Sequence, residues 1–108
     1  MKYLLTVILL LSFNSSQAAY VDGNSLLSKC EGGNESYCIG YLAGINDGYL
    51  AAFNWGDIKE KSFCVPDGAT QGQLQRVAIN GLKANPQNLH LVASSLVMNI
   101  FVAAFPCE

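Results

Sequence analysis

Cys38-Ile-Gly-Tyr-Leu-Ala-Gly-Ile-Asn-Asp-Gly-Tyr-Leu-Ala-Ala-Phe53 carries the clearest periodicity in the 108-residue chain. Its larger apolar residues, Tyr41, Leu42, Ile45, Tyr49 and Phe53, recur at intervals of one, three and four. That spacing gathers them on one stripe of an α-helix that must pack against something. Gly40, Gly44 and Gly48 form a second, smooth face beside the stripe. Each glycine inside a helix costs roughly 1 kcal/mol against alanine, so the repeat points to the close approach of another helix, in this chain or in a second copy. Asn46 and Asp47 lie within the repeat and make the segment too polar to span a bilayer. The stretch therefore reads as the central helix of a small bundle.

The chain opens with Lys2, an apolar run over 4–11 and then Ser16-Gln-Ala-Ala19. A basic residue, a short apolar core and small residues before a cut are the parts of a secretory signal peptide. Cleavage is expected after Ala18 or Ala19, leaving one domain over residues 19–108. The apolar run is roughly half the length a membrane anchor needs. The reading is export into the periplasm, with no membrane attachment after cleavage.

Export makes Cys30, Cys38, Cys64 and Cys107 a disulfide framework. A body of about ninety residues is small enough for such staples to matter. No two cysteines stand two to four residues apart, and no Cys-x-x-Cys is present, so neither zinc nor a thioredoxin-like redox role is expected. Without Lys2 the chain has five basic and eight acidic side chains, a net charge of −3. That balance offers no basic footprint for nucleic acid or anionic lipid.

Working outward from the central helix, Asn24 is a candidate cap for a brief helix over 25–30, with Leu26 and Leu27 on the core. Asn34 or Ser36 caps the central helix, with Glu35 at the positive end of its dipole. Residues 54–63 break the periodicity, and Cys64-Val-Pro-Asp-Gly68 favours turns. Thr70-Gln-Gly-Gln73 fits a capping box ahead of Leu74, Val77, Ala78, Gly81 and Leu82. Asn85-Pro86 ends that helix and starts a last one, whose stripe runs Leu89, Val92, Ala93, Leu96, Val97, Ile100, Phe101 and Ala104. The expected fold is all-α, a disulfide-stapled bundle of about four helices. Short connections make neighbouring helices antiparallel, and that geometry favours Cys30–Cys38 and Cys64–Cys107.

The residues offer little chemistry. His90 is the only histidine, Asp47 and Asp57 are isolated in pattern, and no Gly-x-Ser-x-Gly elbow or phosphate-binding glycine loop occurs. No enzyme activity, cofactor or metal is expected, and the chain reads as a binding protein.

In order, Cys38-x-Gly40-Tyr41-x-x-Gly44 with Asp47, Phe63-Cys64-Val65-Pro66-x-Gly68, Gln73-Leu74-x-x-Val77, Leu82-x-x-x-Pro86 and Phe105-Pro106-Cys107 resemble the Rap/Tai immunity proteins of type VI secretion. The resemblance covers nearly all of the chain after the leader. It implies a small helical periplasmic protein, usually a homodimer, that binds a peptidoglycan amidase effector and blocks its cleft, protecting the producing cell and its siblings. Such a scaffold does not by itself fix the activity, since partners are read by surface residues. The alternative is a periplasmic acid-stress chaperone of the HdeA type, whose switch would rest on the carboxylates because one histidine gives little switching near neutral pH.

Three surfaces are candidates for recognition. In the loop 55–61, Trp55 is a potential aromatic anchor beside Ile58, with Asp57, Lys59, Glu60 and Lys61 setting charge register. The alternative there is that Trp55 folds back onto the core. The turn Lys83-Ala-Asn-Pro-Gln-Asn88 presents Asn85, Gln87 and Asn88 as a polar corner. For self-association the candidates are Gly40, Gly44, Gly48, Met98 and Val102, against packing within the chain.

Overall fold

The computed structural model describes residues 20–108; the expected signal peptide lies outside them. Four α-helices form the body: α1 (Gly23–Glu31), α2 (Glu35–Asn54), α3 (Gln71–Ala84) and α4 (Ala93–Ala104). A 3-10 turn, Pro86–Asn88, links the last two. Among the described residues there is no strand, only an isolated antiparallel bridge between Asp22 and Val92. None of their helices is long and apolar enough to cross a membrane.

The local signals explain where most helices start. Asn34 caps α2 by accepting from the Tyr37 N–H at 3.4 Å, with Glu35 in the first turn. The capping box forms in full: Gln73 N–H donates to Thr70 Oγ1 at 3.1 Å, and Thr70 N–H donates to Gln73 Oε1 at 2.7 Å. Each bond satisfies an amide that the first helical turn leaves unpaired.

Two boundaries differ from expectation. Asp22, not Asn24, caps α1, its carboxylate accepting from the Ser25 N–H at 2.8 Å. That bond to the ionised form holds the Asp22 pKa below its ordinary value. The last helix begins at Ala93 rather than after Pro86. The Leu89 and Leu91 carbonyls are taken by the N–H groups of Asn24 and Gly23, at 2.9 and 3.0 Å, and the Ala93 N–H donates to the Val21 carbonyl at 2.8 Å. Residues 89–92 are thus hydrogen-bonded across to the chain before and at the start of α1. Val92, expected in the core stripe, is exposed, and so is Ala104.

The core follows the periodicity. Leu26, Leu42, Tyr49, Leu74, Ala78, Leu82, Leu96, Val97 and Phe101 are buried in one cluster, with Tyr41 and Ile45 packed against it. Helices α3 and α4 meet tightly at Gly81, where an added Cβ would sit 2.6–2.7 Å from three carbons of the Ile100 side chain. The glycine stripe of α2 behaves oppositely. Gly40, Gly44 and Gly48 are exposed, and an added Cβ at any of them meets nothing within 4 Å. Among the described residues, no helix packs on that face.

Two disulfides staple the bundle, Cys30–Cys38 and Cys64–Cys107, with sequence separations of 8 and 43. In the chain-entropy account, loops of those lengths are worth about 2.5 and about 4 kcal/mol before strain is subtracted. The first bond holds α1 to the start of α2. The second ties the end of the α2–α3 connection to the chain terminus.

Candidate functional site

The connection after α2 begins with a tight helix stop. Trp55 closes the helix, its N–H donating to the Ala51 carbonyl at 2.9 Å, and Gly56 follows with φ +86°. Gly56 N–H then donates to the Phe53 carbonyl at 3.1 Å and Asp57 N–H to the Ala52 carbonyl at 2.9 Å. These two bonds are the Schellman pattern, which needs a residue in the left-handed region and so favours glycine. The stop turns the chain sharply while leaving the Trp55 ring outside: it is 81 % exposed. Folding back onto the core, the alternative left open by the sequence, is not what Trp55 does.

The far side of the tip is pinned by aromatic packing. Ile58 is half-buried against the core. The Tyr49 hydroxyl accepts a hydrogen bond from the Ser62 N–H. The Tyr49 ring stacks on Phe63 with centroids 4.3 Å apart, Phe63 lies 5.6 Å from Phe101, and Phe101 lies 5.8 Å from Phe105. Phe63 is 2 % exposed. The Cys64 N–H donates to the Phe105 carbonyl at 2.8 Å, next to the Cys64–Cys107 bond. Asp57, Lys59, Glu60 and Lys61 remain exposed, and Lys61 Nζ lies 4.9 Å from the Phe53 ring centre. An exposed aromatic side chain with charged residues close in sequence is the composition of an interface anchor and its rim.

Sequence reasoning singled out residues 55–61 but missed their anchors, Tyr49, Ser62 and Phe63. Gly56 after the last helical residues carries the signal for the stop. Nothing local to Ser62 or Phe63 announces their contacts with Tyr49.

The polar corner lies elsewhere. Asn85 caps α3, its side-chain amide donating to the Gly81 carbonyl at 3.0 Å. Gln87 is exposed and Asn88 half-buried. Asn85 and Asn88 come together with Asn80 and Asn99 around a groove of about 610 Å³ between α3 and α4, whose apolar lining includes Leu89 and Ile100. The Lys83–Glu31 ion pair, 3.2 Å, sets this end of α3 beside the end of α1. That is the end of the bundle where the 20-residue α2 begins, whereas the tip follows its other end, about 30 Å away along the helix axis. The two candidate surfaces do not form one patch. Of the self-association residues, the three glycines are open, Val102 is 41 % exposed, and Met98 is half-buried against the chain's own core.

Among the described residues, no three His, Cys, Asp or Glu side chains gather as metal ligands.

The family described as Rap1a immunity proteins matches residues 22–107. No curated protein and no solved structure matches the chain significantly.

Proposed function

The chain belongs to the Rap1a immunity protein family, and from that premise we propose that it neutralises a peptidoglycan amidase effector of type VI secretion by stoichiometric binding, in the periplasm of the producing cell. The observation that carries the docking mode is Trp55, a large aromatic ring 81 % exposed on a tip fixed from both sides. An anchor on a mobile loop would lose backbone ordering entropy on binding; an anchor whose backbone is already held by the helix stop loses less. Trp55 is the anchor, Asp57, Lys59, Glu60 and Lys61 set the register, and the protein performs no chemistry of its own. The family match supports this reading over the acid-stress chaperone. The corner at Asn85, Gln87 and Asn88 is a second contact region for a partner or for another copy.

Self-association is part of the same proposal. The open glycine stripe of α2 lets a second backbone approach without steric cost, and two copies joined there would present two tips.

The test mixes the oxidised protein with any peptidoglycan amidase effector encoded beside it and follows complex formation and peptidoglycan cleavage at neutral pH. Stoichiometric binding with loss of cleavage supports immunity. An unbound, fully active amidase rejects it.

A further inference from the structure

The two disulfides differ in their surroundings. Cys30 is 5 % exposed and Cys38 fully buried, so that bond lies inside the core cluster. Cys107 is exposed and Cys64 half-buried. Thiol–disulfide exchange requires a thiolate to reach one sulfur in line with the bond, so access governs which bond reacts. Attack on the buried pair must wait for the core to open.

The outer bond also holds a mechanically useful place. It joins the residue after Phe63, where the tip returns to the core, to the segment after α4. The packing beneath it does not run through the sulfurs: Phe63 and Phe101 are buried, and the Cys64 N–H donates to the Phe105 carbonyl.

We propose that Cys64–Cys107 is a reversible redox latch on the Trp55 tip, while Cys30–Cys38 is a permanent structural staple. The reductant is a dithiol. One of its thiolates attacks the Cys107 sulfur, forming a mixed disulfide and expelling Cys64 as a thiolate that takes up a proton. The second reagent thiolate attacks its own partner sulfur and expels Cys107. The reagent leaves as a disulfide, two electrons pass to the protein, and both cysteines end as thiols. The buried aromatic packing keeps those thiols near each other, so exchange with a disulfide oxidant, which takes up the two electrons and leaves as its dithiol, closes the latch again. Without the covalent tie, residues 57–63 keep only their non-covalent contacts, through Ile58, Tyr49, Phe63 and the Cys64 N–H bond to the Phe105 carbonyl, and open more often. The consequence for partner binding rests on the immunity reading; the order of reduction does not.

The experiment treats the oxidised protein with dithiothreitol in native buffer, quenches with iodoacetamide at timed intervals and maps the modified cysteines by mass spectrometry. Cys64 and Cys107 should be alkylated at least about ten-fold faster than Cys30 and Cys38. Helicity should persist in the singly reduced species, and amide exchange over residues 57–63 should accelerate. A Cys64→Ser/Cys107→Ser variant, free of bulky adducts, should show the same faster exchange. Simultaneous loss of both bonds, earlier loss of Cys30–Cys38, or unchanged exchange over 57–63 in that variant would overturn the latch. With the amidase present, the variant should bind more weakly than the oxidised protein, and equal binding would refute control of docking. If the oxidised protein itself does not bind, the immunity reading fails while the reduction order still stands or falls by its own measurement.

Discussion

The Tyr49 ring lies flat on Phe63, with centroids 4.3 Å apart and planes 18° apart, and its hydroxyl accepts the Ser62 N–H. One side chain of α2 therefore fixes both the backbone and the side chain that end the exposed tip. The stacked pair continues through Phe101 to Phe105, so the tip is coupled to α4 by aromatic contact as well as by the nearby disulfide.

Removing only the hydroxyl should separate these roles. Tyr49→Phe keeps the stack and deletes the acceptor, at a cost of about 1 kcal/mol. Phe63→Ala removes a buried ring and should cost about 3–5 kcal/mol. Chemical denaturation of both variants checks the ranking. Equal losses would mean that the ring contact is not what pins the loop.

Gly81 should tolerate no side chain. Its Cβ would meet Cγ1, Cγ2 and Cδ1 of Ile100 together, so no single rotation of that β-branched residue clears the space. Gly81→Ala should destabilise by about 1–3 kcal/mol even though alanine favours helix. By contrast Gly44→Ala, facing open space, should stabilise the isolated chain by about 1 kcal/mol. Thermal unfolding of the pair gives shifts of opposite sign if the packing is as described.

The bundle was largely legible in sequence, and its boundaries show why legibility is local. Thr70 and Gln73 stand three residues apart and form the capping box that their spacing implies. Leu42, Tyr49, Leu74, Ala78 and Phe101 are buried where helical periodicity puts them. The late start of α4 was not legible, because it depends on amides near the start of α1 claiming carbonyls nearly seventy residues on, as Gly23 does with Leu91. The site divides in the same way. Trp55 and its charged neighbours could be nominated as an unperiodic segment, but whether the ring points in or out depends on Gly56 and on Tyr49 contacts across the fold.

Asp22 gives the account a pH dependence. Its pKa is lowered in the folded state because the Ser25 N–H stabilises the carboxylate. A depressed folded pKa means the stabilisation is full above the unfolded carboxylate value and is lost as pH falls through the folded one. Asp22→Asn, which can still cap, should flatten the acid end of the stability curve relative to the parent. Identical acid slopes for the two proteins would show that the cap carbonyl, and not its charge, matters.

Truncating Trp55 tests the docking surface independently of stability. Its ring is 81 % exposed, so Trp55→Ala should shift unfolding by no more than about 0.5 kcal/mol. As an interface anchor the same truncation should cost about 2 kcal/mol or more of binding, a factor of roughly thirty in Kd. Lys59→Ala, at the charged rim, should act mainly on the association rate and its salt dependence.

The most direct measurement is a titration of a type VI peptidoglycan amidase effector with the oxidised wild-type protein and with Trp55→Ala, reading heat of binding and peptidoglycan cleavage together. The account predicts saturation at a fixed stoichiometry with cleavage abolished for the wild type. For the variant it predicts a Kd weaker by at least about thirty-fold. Wild-type binding and inhibition that Trp55→Ala leaves intact would contradict docking through the tip, and an amidase unaffected by either protein would contradict immunity itself.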